Sequence, residues 1–273
     1  MVTNQQITAT SPIGIFDSGI GGLTVAKEIQ QILPHEQLIY FGDTVHLPYG
    51  DKSTSAIQAY AIKICNLLLE HSCKVIVIAC NSASAAAYEL VKEYVGSRAK
   101  VINVIDPTVE HIMSSTEVNA SVGVIGTRRT IETSIYKQKL SDHTRYVNEL
   151  ATPLLAPMIE EGFYEHKISY SIIEQYLSDE RFTAIKQLVL GCTHYPLIKE
   201  EISNYFKGKV EIIDSAEYVA LSVKKYLSNA SLLSKERKEE HTFFVSDFTN
   251  SFDASTSLFF SEKVELQLYK LWE

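Results

Sequence analysis

Two cysteines close two runs of the same design: VIVIACNSAS, which carries Cys80, and QLVLGCTHYP, which carries Cys192. In each, a short apolar stretch ends in a small residue, then Cys, then side chains that donate hydrogen bonds. Such runs read as buried parallel strands. Ligands of open α/β sheets sit outside the carboxyl ends of the strands, which is where both thiols would emerge. Two equivalent thiols suit a reaction that needs a proton-transfer group on each face of one substrate. Asn81 and Ser82 follow the first cysteine, and Thr193 and His194 the second. If a helix begins there, they occupy its first turn, where N–H groups and hydroxyls converge and can hold a carboxylate. That helix end would also lower a thiol pKa from its free value of about 8.5. A lone buried cysteine is ordinarily a small core residue. Cys65 and Cys73, on and just past a helical pattern, keep that reading, whereas the matched contexts of Cys80 and Cys192 argue against it.

Three other segments carry groups capable of chemistry. IGIFDSGIGGLTV places Asp17 and Ser18 after a strand, with Gly19, Gly21 and Gly22 turning the chain into a helix. The spacing matches neither GxGxxG nor GxxxxGK[ST]. The loop is thus a structural turn with a capping Asp or Ser, or a ligand loop in which Asp17 handles a proton or an ammonium group. In YFGDTVHLPYGDKS, Pro48-Tyr49-Gly50 is a turn whose Gly50 frees a backbone N–H and whose Tyr49 could wall a pocket, though an ordinary turn would look the same. Thr127 and Thr130 in VIGTRRT and the acidic pair of LLAPMIEEGF complete the set. Acidic pairs before glycine are usually solvated, and Glu160 is read that way.

The elements that must position these groups alternate along the chain. IGIF (13–16), LIYF (38–41), VIVIA (75–79) and VINVI (101–105) read as strands of a first half, and SVGVIG (121–126), QLVLG (187–191) and VEIID (210–214) as strands of a second. Between the early strands, LTVAKEIQQIL and SAIQAYAIKICNLLLEHS show apolar residues at helical spacing. This alternation predicts an α/β fold of parallel sheets with helices on both faces. An extended dipeptide at Asp106-Pro107 marks a boundary, and the polar stretch SLLSKERKEEH (231–241) reads as a solvated connection. The strand-like TFFVS beyond it could close the second half or return to the first.

Composition narrows the function. At 273 residues and 45% hydrophobic the chain can fill two domain cores. A net charge of −8, from 25 basic and 33 acidic residues, argues against nucleic acid as a partner and leaves a carboxylate ligand to local donors. The opening MVTNQQITATSP is polar, so no signal peptide is expected, and no apolar run approaches the roughly 20 residues of a membrane helix. We therefore expect a cytoplasmic protein with no membrane partner. Four cysteines without a CxxC fit a reducing compartment and do not spell a zinc site, so no metal is expected.

In this order and over nearly the whole chain, DSGIGGLTV, YFGDTVHLPYG, VIVIACNSAS, GVIGTRRT, APMIEEG, LGCTHYP and VEIIDSAEYVA resemble bacterial glutamate racemase, of the aspartate/glutamate racemase superfamily. The sister aspartate racemases typically carry Glu after the second Cys-Thr, where this chain has His194. The resemblance implies two similar α/β domains with mainly parallel sheets facing each other across the active site, the C-terminal segment returning to the first. Residues 1–107 and 225–273 would form the Cys80 side and 108–224 the Cys192 side. It further implies a cofactor-independent enzyme that interconverts L- and D-glutamate for peptidoglycan, expected as a homodimer. Cys80 and Cys192 would be the acid/base thiols, assisted by Asp17, His194 and Glu161. Asp17, Ser18, Pro48, Tyr49, Gly50, Asn81, Ser82, Thr127, Thr130, Thr193 and His194 would bind substrate. Ser82 stands where the family usually has Thr, which keeps the hydroxyl and loses a methyl contact.

Three rivals follow from the same residues. One is a racemase of aspartate or a related acid, and another a thiol hydrolase pairing Cys80 with His194 as base. The third is a binding protein without turnover, against which the presence of both cysteines argues.

Overall fold

The computed structural model describes residues 7–115, 120–142, 146–164, 166–237, 239–248, 256, 258–260 and 264–273. Their strands form two sheets. The first uses β1 (Ile13–Asp17), β2 (Leu38–Gly42), β3 (Val75–Ile78) and β4 (Lys100–Asn103), with β9 (Thr242–Val245) and β10 (Leu266–Leu268) from the far end of the chain, in the order β10-β9-β2-β1-β3-β4. The second uses β5 (Ser121–Gly126), β6 (Tyr146–Ala151), β7 (Gln187–Gly191) and β8 (Glu211–Ile213), in the order β6-β5-β7-β8. Every pairing in both is parallel.

The strand sequences explain why both faces of the first sheet are covered. Ile13, Ile15, Leu38, Tyr40, Val75 and Val77 enter one apolar cluster, while the alternating Phe16, Ile39, Phe41, Ile76 and Ile78 enter a second. Period-two alternation with an apolar residue at every step demands a layer of helices on each side. On one face α1 (Leu23–Ile32) packs with α10 (Ser215–Asn229), and on the other α2 (Thr54–Glu70) packs with α3 (Asn81–Val95). The first cluster continues through Val122, Val124, Leu188 and Val189 of the second sheet, so one core joins the two halves.

The expected strands are present, with differences at their ends. Val104 and Ile105 leave β4, and Ile105 opens α4 (Ile105–Ser115). Asp106-Pro107 is therefore not an extended boundary but the first turn of a helix. Asn103 Oδ1 accepts from the Ile105 and Asp106 N–H groups at 2.7 and 2.8 Å, and a proline costs nothing where its N–H would have no helical partner. The strands β6 and β10 were not anticipated. YVNELA is only half-buried and mixed in character, and the three residues of β10 are too short to show a period. We propose the division into residues 1–107 with 225–273, and 108–224. It places each strand with its own sheet, and both cuts then fall inside helices, α4 and α10, that pack against each other.

A buried ion pair anchors the returning segment. Lys74 Nζ lies 2.5 Å from Glu36 Oε2, bonds the Ala9 carbonyl, and donates to the Leu232 carbonyl at 2.9 Å. Glu36 Oε1 accepts the Ser234 N–H at 2.9 Å. Each charge is thus paired and hydrogen-bonded, the condition under which burying it is tolerable.

Two of the four thiols belong to this scaffold. Burial pushes the Cys65 thiol up to about 12 and raises that of Cys73 as well. In the unfolded chain they titrate near 8.5, so above that pH the unfolded state binds fewer protons than the native one. Stability is therefore full below about 8.5 and falls by about 1.4 kcal/mol per thiol per pH unit as pH climbs toward the folded value. Melting temperatures measured between about pH 8 and 11 should decline less steeply in Cys65→Ala than in the wild type. Equal slopes would show that Cys65 titrates alike in both states.

Candidate active site

Because each sheet is parallel, its strand ends lie along one edge, and the groups that follow those strands converge. A partly enclosed cavity of about 180 Å³ lies where the edges of the two sheets meet. On the scale where one water needs about 10–15 Å³, it has room for roughly a dozen non-hydrogen atoms. Cys80, Asn81 and Ser82 line it from the end of β3, Ser18 and Gly19 from β1, and Pro48, Tyr49 and Gly50 from the loop after β2. The second sheet contributes Thr127 after β5 and Cys192, Thr193 and His194 after β7. Leu47, Ala156, Pro157 and Glu160 complete the lining.

The two cysteines sit differently. Cys80 is the N-cap of α3, its sulfur accepting from the Ala83 N–H at 3.5 Å and lying 3.8 Å from the Ser18 hydroxyl. A helix start was expected to lower this thiol's pKa, but burial, aided by the Asp17 carboxylate, outweighs those donors and pushes it up to about 12. Cys192 does not precede a helix directly. Thr193 and His194 form a turn, followed by a four-residue 3₁₀ segment, Tyr195–Ile198. The Cys192 sulfur instead meets His194 Nδ1 at 3.7 Å. The pairing of Cys80 with His194 considered above is therefore not the one formed.

His194 is buried with Phe259 edge-on to its ring at 5.3 Å. Glu160 Oε1 stands 2.9 Å from its Nε2, within ion-pair distance. Burial opposes the imidazolium most strongly, but Cys192 and Glu160 together raise the His194 pKa well above its ordinary value. Asp17, fully buried behind the cavity, accepts the N–H groups of Gly19 at 3.2 Å and Gly22 at 3.0 Å. Its other oxygen has no partner among the described residues, and desolvation raises its pKa despite the charge of His194 and those N–H donors.

Here the sequence reading is corrected on one point. Glu161, expected as the assisting carboxylate, is the exposed residue following α7 (Leu155–Glu160), whereas Glu160, read as solvated, is also partly exposed but reaches the cavity lining and His194. On a helix, Ala156 and Glu160 are four apart and share a face, while Glu161 points about 100° further round. The signal was present in the i, i+4 spacing but required knowing that LAPMIE is helical.

The remaining groups form the contact between the halves. Ser82 Oγ lies 2.8 Å from Thr127 Oγ1, which caps α5 (Arg128–Glu132) and lies 3.1 Å from Thr130 Oγ1. Thr130 is thus buried behind the lining, not part of it. Tyr136, which sequence reasoning missed, donates to Asn81 Oδ1 at 2.8 Å and so fixes the amide. Asn81 Nδ2, buried beside the cavity, has no partner among the described residues and is a donor left for a ligand. Two glycines permit the approach. A Cβ on Gly21 would come within 2.5 Å of His194, and one on Gly50 within 2.8 Å of Thr127. Among the described residues no cluster of His, Cys, Asp and Glu could hold a metal ion.

Comparison with known proteins places the chain in a family. Residues 20–223 match the family model described as Asp/Glu/Hydantoin racemase. The glutamate racemase of Chlorobium phaeobacteroides is 41% identical over 259 residues, 94% of each chain, and that of Chlorobaculum tepidum is 40% identical over 259 residues, 93% of this chain and 94% of its own. The crystal structure of glutamate racemase from Francisella tularensis in complex with D-glutamate superposes with a TM-score of 0.89 at 35% identity, covering 97% of this chain and 99% of that one. An aspartate racemase of Picrophilus torridus shares the fold alone, at 20% identity and a TM-score of 0.56. The chain thus belongs to the Asp/Glu/Hydantoin racemase family and, within it, to the glutamate racemases, and is an amino-acid racemase, an isomerase.

Proposed function

We propose that the chain interconverts L- and D-glutamate without a cofactor, using Cys80 and Cys192 as the two proton-transfer groups, and that its product serves peptidoglycan synthesis. The observation that carries this reading is the presence of two thiols, from the strand ends of opposite sheets, in the lining of one cavity. The D-glutamate bound to the Francisella tularensis enzyme supports the choice of substrate. We infer also a homodimer working in the cytoplasm, where four free cysteines stay reduced.

Inversion at the α-carbon requires a proton to leave one face and another to arrive on the opposite face. One sulfur must be thiolate and the other thiol, and they exchange states in each turnover. With its pKa pushed up to about 12 by burial and the Asp17 carboxylate, Cys80 holds its proton and is set to donate. Cys192, with His194 beside it and the His194 pKa raised well above its ordinary value by Cys192 and Glu160, then takes the proton from L-glutamate. In the reverse direction the substrate ammonium brings a positive charge toward buried Asp17 and Cys80, which offsets part of the cost of a thiolate there. The charge that develops on the substrate carboxylate needs fixed donors. Asn81 Nδ2, the Ser82 and Thr193 hydroxyls and the N–H groups at the start of α3 are placed to supply them.

Three predictions test this. Racemisation, followed by optical rotation and α-deuteration in D₂O, should proceed with no added cofactor and persist in the presence of a chelator. Strong inhibition by the chelator would overturn the two-thiol reading. Cys80→Ser and Cys192→Ser should each lose about 10²–10⁴-fold in turnover. The isotope effect should rise with α-deuterated D-glutamate in the first and with the L-isomer in the second, and identical responses would refute the assignment of faces. Glu160→Gln should slow turnover about tenfold by removing a charge beside His194, while Glu161→Gln stays within about twofold of wild type. The reverse pattern would restore Glu161.

A further inference from the structure

The cavity wall formed by Tyr49 is held from behind by a residue that neither catalysis nor substrate contact uses. Asp43 follows β2 directly, and its side chain is wholly buried. One oxygen, Oδ2, accepts from the Tyr49 hydroxyl at 2.6 Å and from His46 Nδ1 at 2.9 Å. The other, Oδ1, accepts from Ser246 Oγ at 2.9 Å and from Trp272 Nε1 at 2.8 Å. A carboxylate accepts only, so its two oxygens can satisfy all four donors at once.

Two of the four donors, Ser246 and Trp272, come from distant parts of the chain. Ser246 directly follows β9 and also accepts the Val45 N–H at 3.0 Å, while Thr44 Oγ1 and Asp247 exchange hydrogen bonds at 2.6 and 2.8 Å. Trp272 is one residue from the C-terminus and is the chain's single tryptophan. Its ring stands edge-on to His46 at 4.5 Å and to Tyr60 at 5.4 Å, with Lys63 Nζ 4.9 Å from its centroid. His46 in turn stacks on Tyr60 at 3.9 Å. The last residues are thus clamped against the loop that carries Tyr49 and Gly50.

We propose that Trp272 and Asp43 are positioning residues of the substrate cavity: the C-terminal indole fixes the Asp43 carboxylate, and the carboxylate fixes Tyr49. Loss of the indole N–H leaves Oδ1 one donor short and frees the loop. The inference rests on the reading of this cavity as the glutamate site, and its test has one arm that does not.

Trp272→Phe keeps a ring and removes the donor, and Asp43→Asn keeps the shape and removes two acceptor positions. In each variant, alkylation of the four cysteines by iodoacetamide is timed by peptide mass spectrometry, with no substrate present. Cys80 shares the cavity lining with Tyr49, whereas Cys65 and Cys73 lie in the core and report general loosening. Trp272→Phe should label Cys80 about three- to tenfold faster with Cys65 and Cys73 unchanged, as for the loss of one hydrogen bond. The KM for both glutamate isomers should rise by a similar factor with kcat within about twofold. Asp43→Asn should exceed both effects; if it does not fold, Trp272→Phe decides alone. Unchanged Cys80 labelling and KM, or a common rise in the labelling of all four cysteines, would overturn the proposal. If the wild type fails to racemise glutamate, the substrate reading falls and the labelling ratio still decides the role of Trp272.

Discussion

Everything in this molecule depends on strand direction. A parallel sheet delivers the carboxyl end of each strand to the same edge, so residues far apart in sequence arrive together with no dedicated contact to bring them there. Asp17, Asp43 and Cys80 reach one edge through β1, β2 and β3, and Thr127 and Cys192 reach another through β5 and β7. Parallel strands demand crossover helices, and those helices cover both faces and make the interior dry. The dry interior is in turn what gives the site its electrostatics.

That dryness has opposed effects on the chemistry. It raises the pKa of Cys80 and of Asp17, which disfavours the charged forms, and the His194 pKa lies above its ordinary value only because Cys192 and Glu160 outweigh its burial. The same exclusion of water makes each remaining charge and donor act strongly on a bound substrate. The two halves of the cavity are therefore chemically unlike although their strands look alike. One thiol is backed by a carboxylate, a hydroxyl and a helix N–H, and the other by an imidazole paired with Glu160.

Much of this was legible in the sequence, because the signals were local. Largely apolar strands such as VIVI and QLVLG are read directly, and the residue after each strand follows from its position. Glu160 was not legible, since its face depends on a helix of only six residues that ends one residue before Glu161. The cost of burying Cys80 was not legible either, because a helix start is visible in the sequence and the depth of its surroundings is not. Asp43 and Trp272 are separated by 229 positions and share no motif, so only the fold reveals that they meet. Strand β6, half-buried and mixed in composition, shows the same limit from the other side.

The return of the chain to its first sheet has a mechanical consequence. Since β9 and β10 extend the sheet that β1 begins, the unit carrying Cys192 is joined to the rest by two passages of the chain, at α4 and α10, which lie side by side. A body attached at two adjacent points can swing about the line through them but cannot turn freely about its own axis. Two adjacent passages, with the apolar core shared by the two sheets, thus hold the strand end that carries Cys192 in one orientation toward the strand end that carries Cys80.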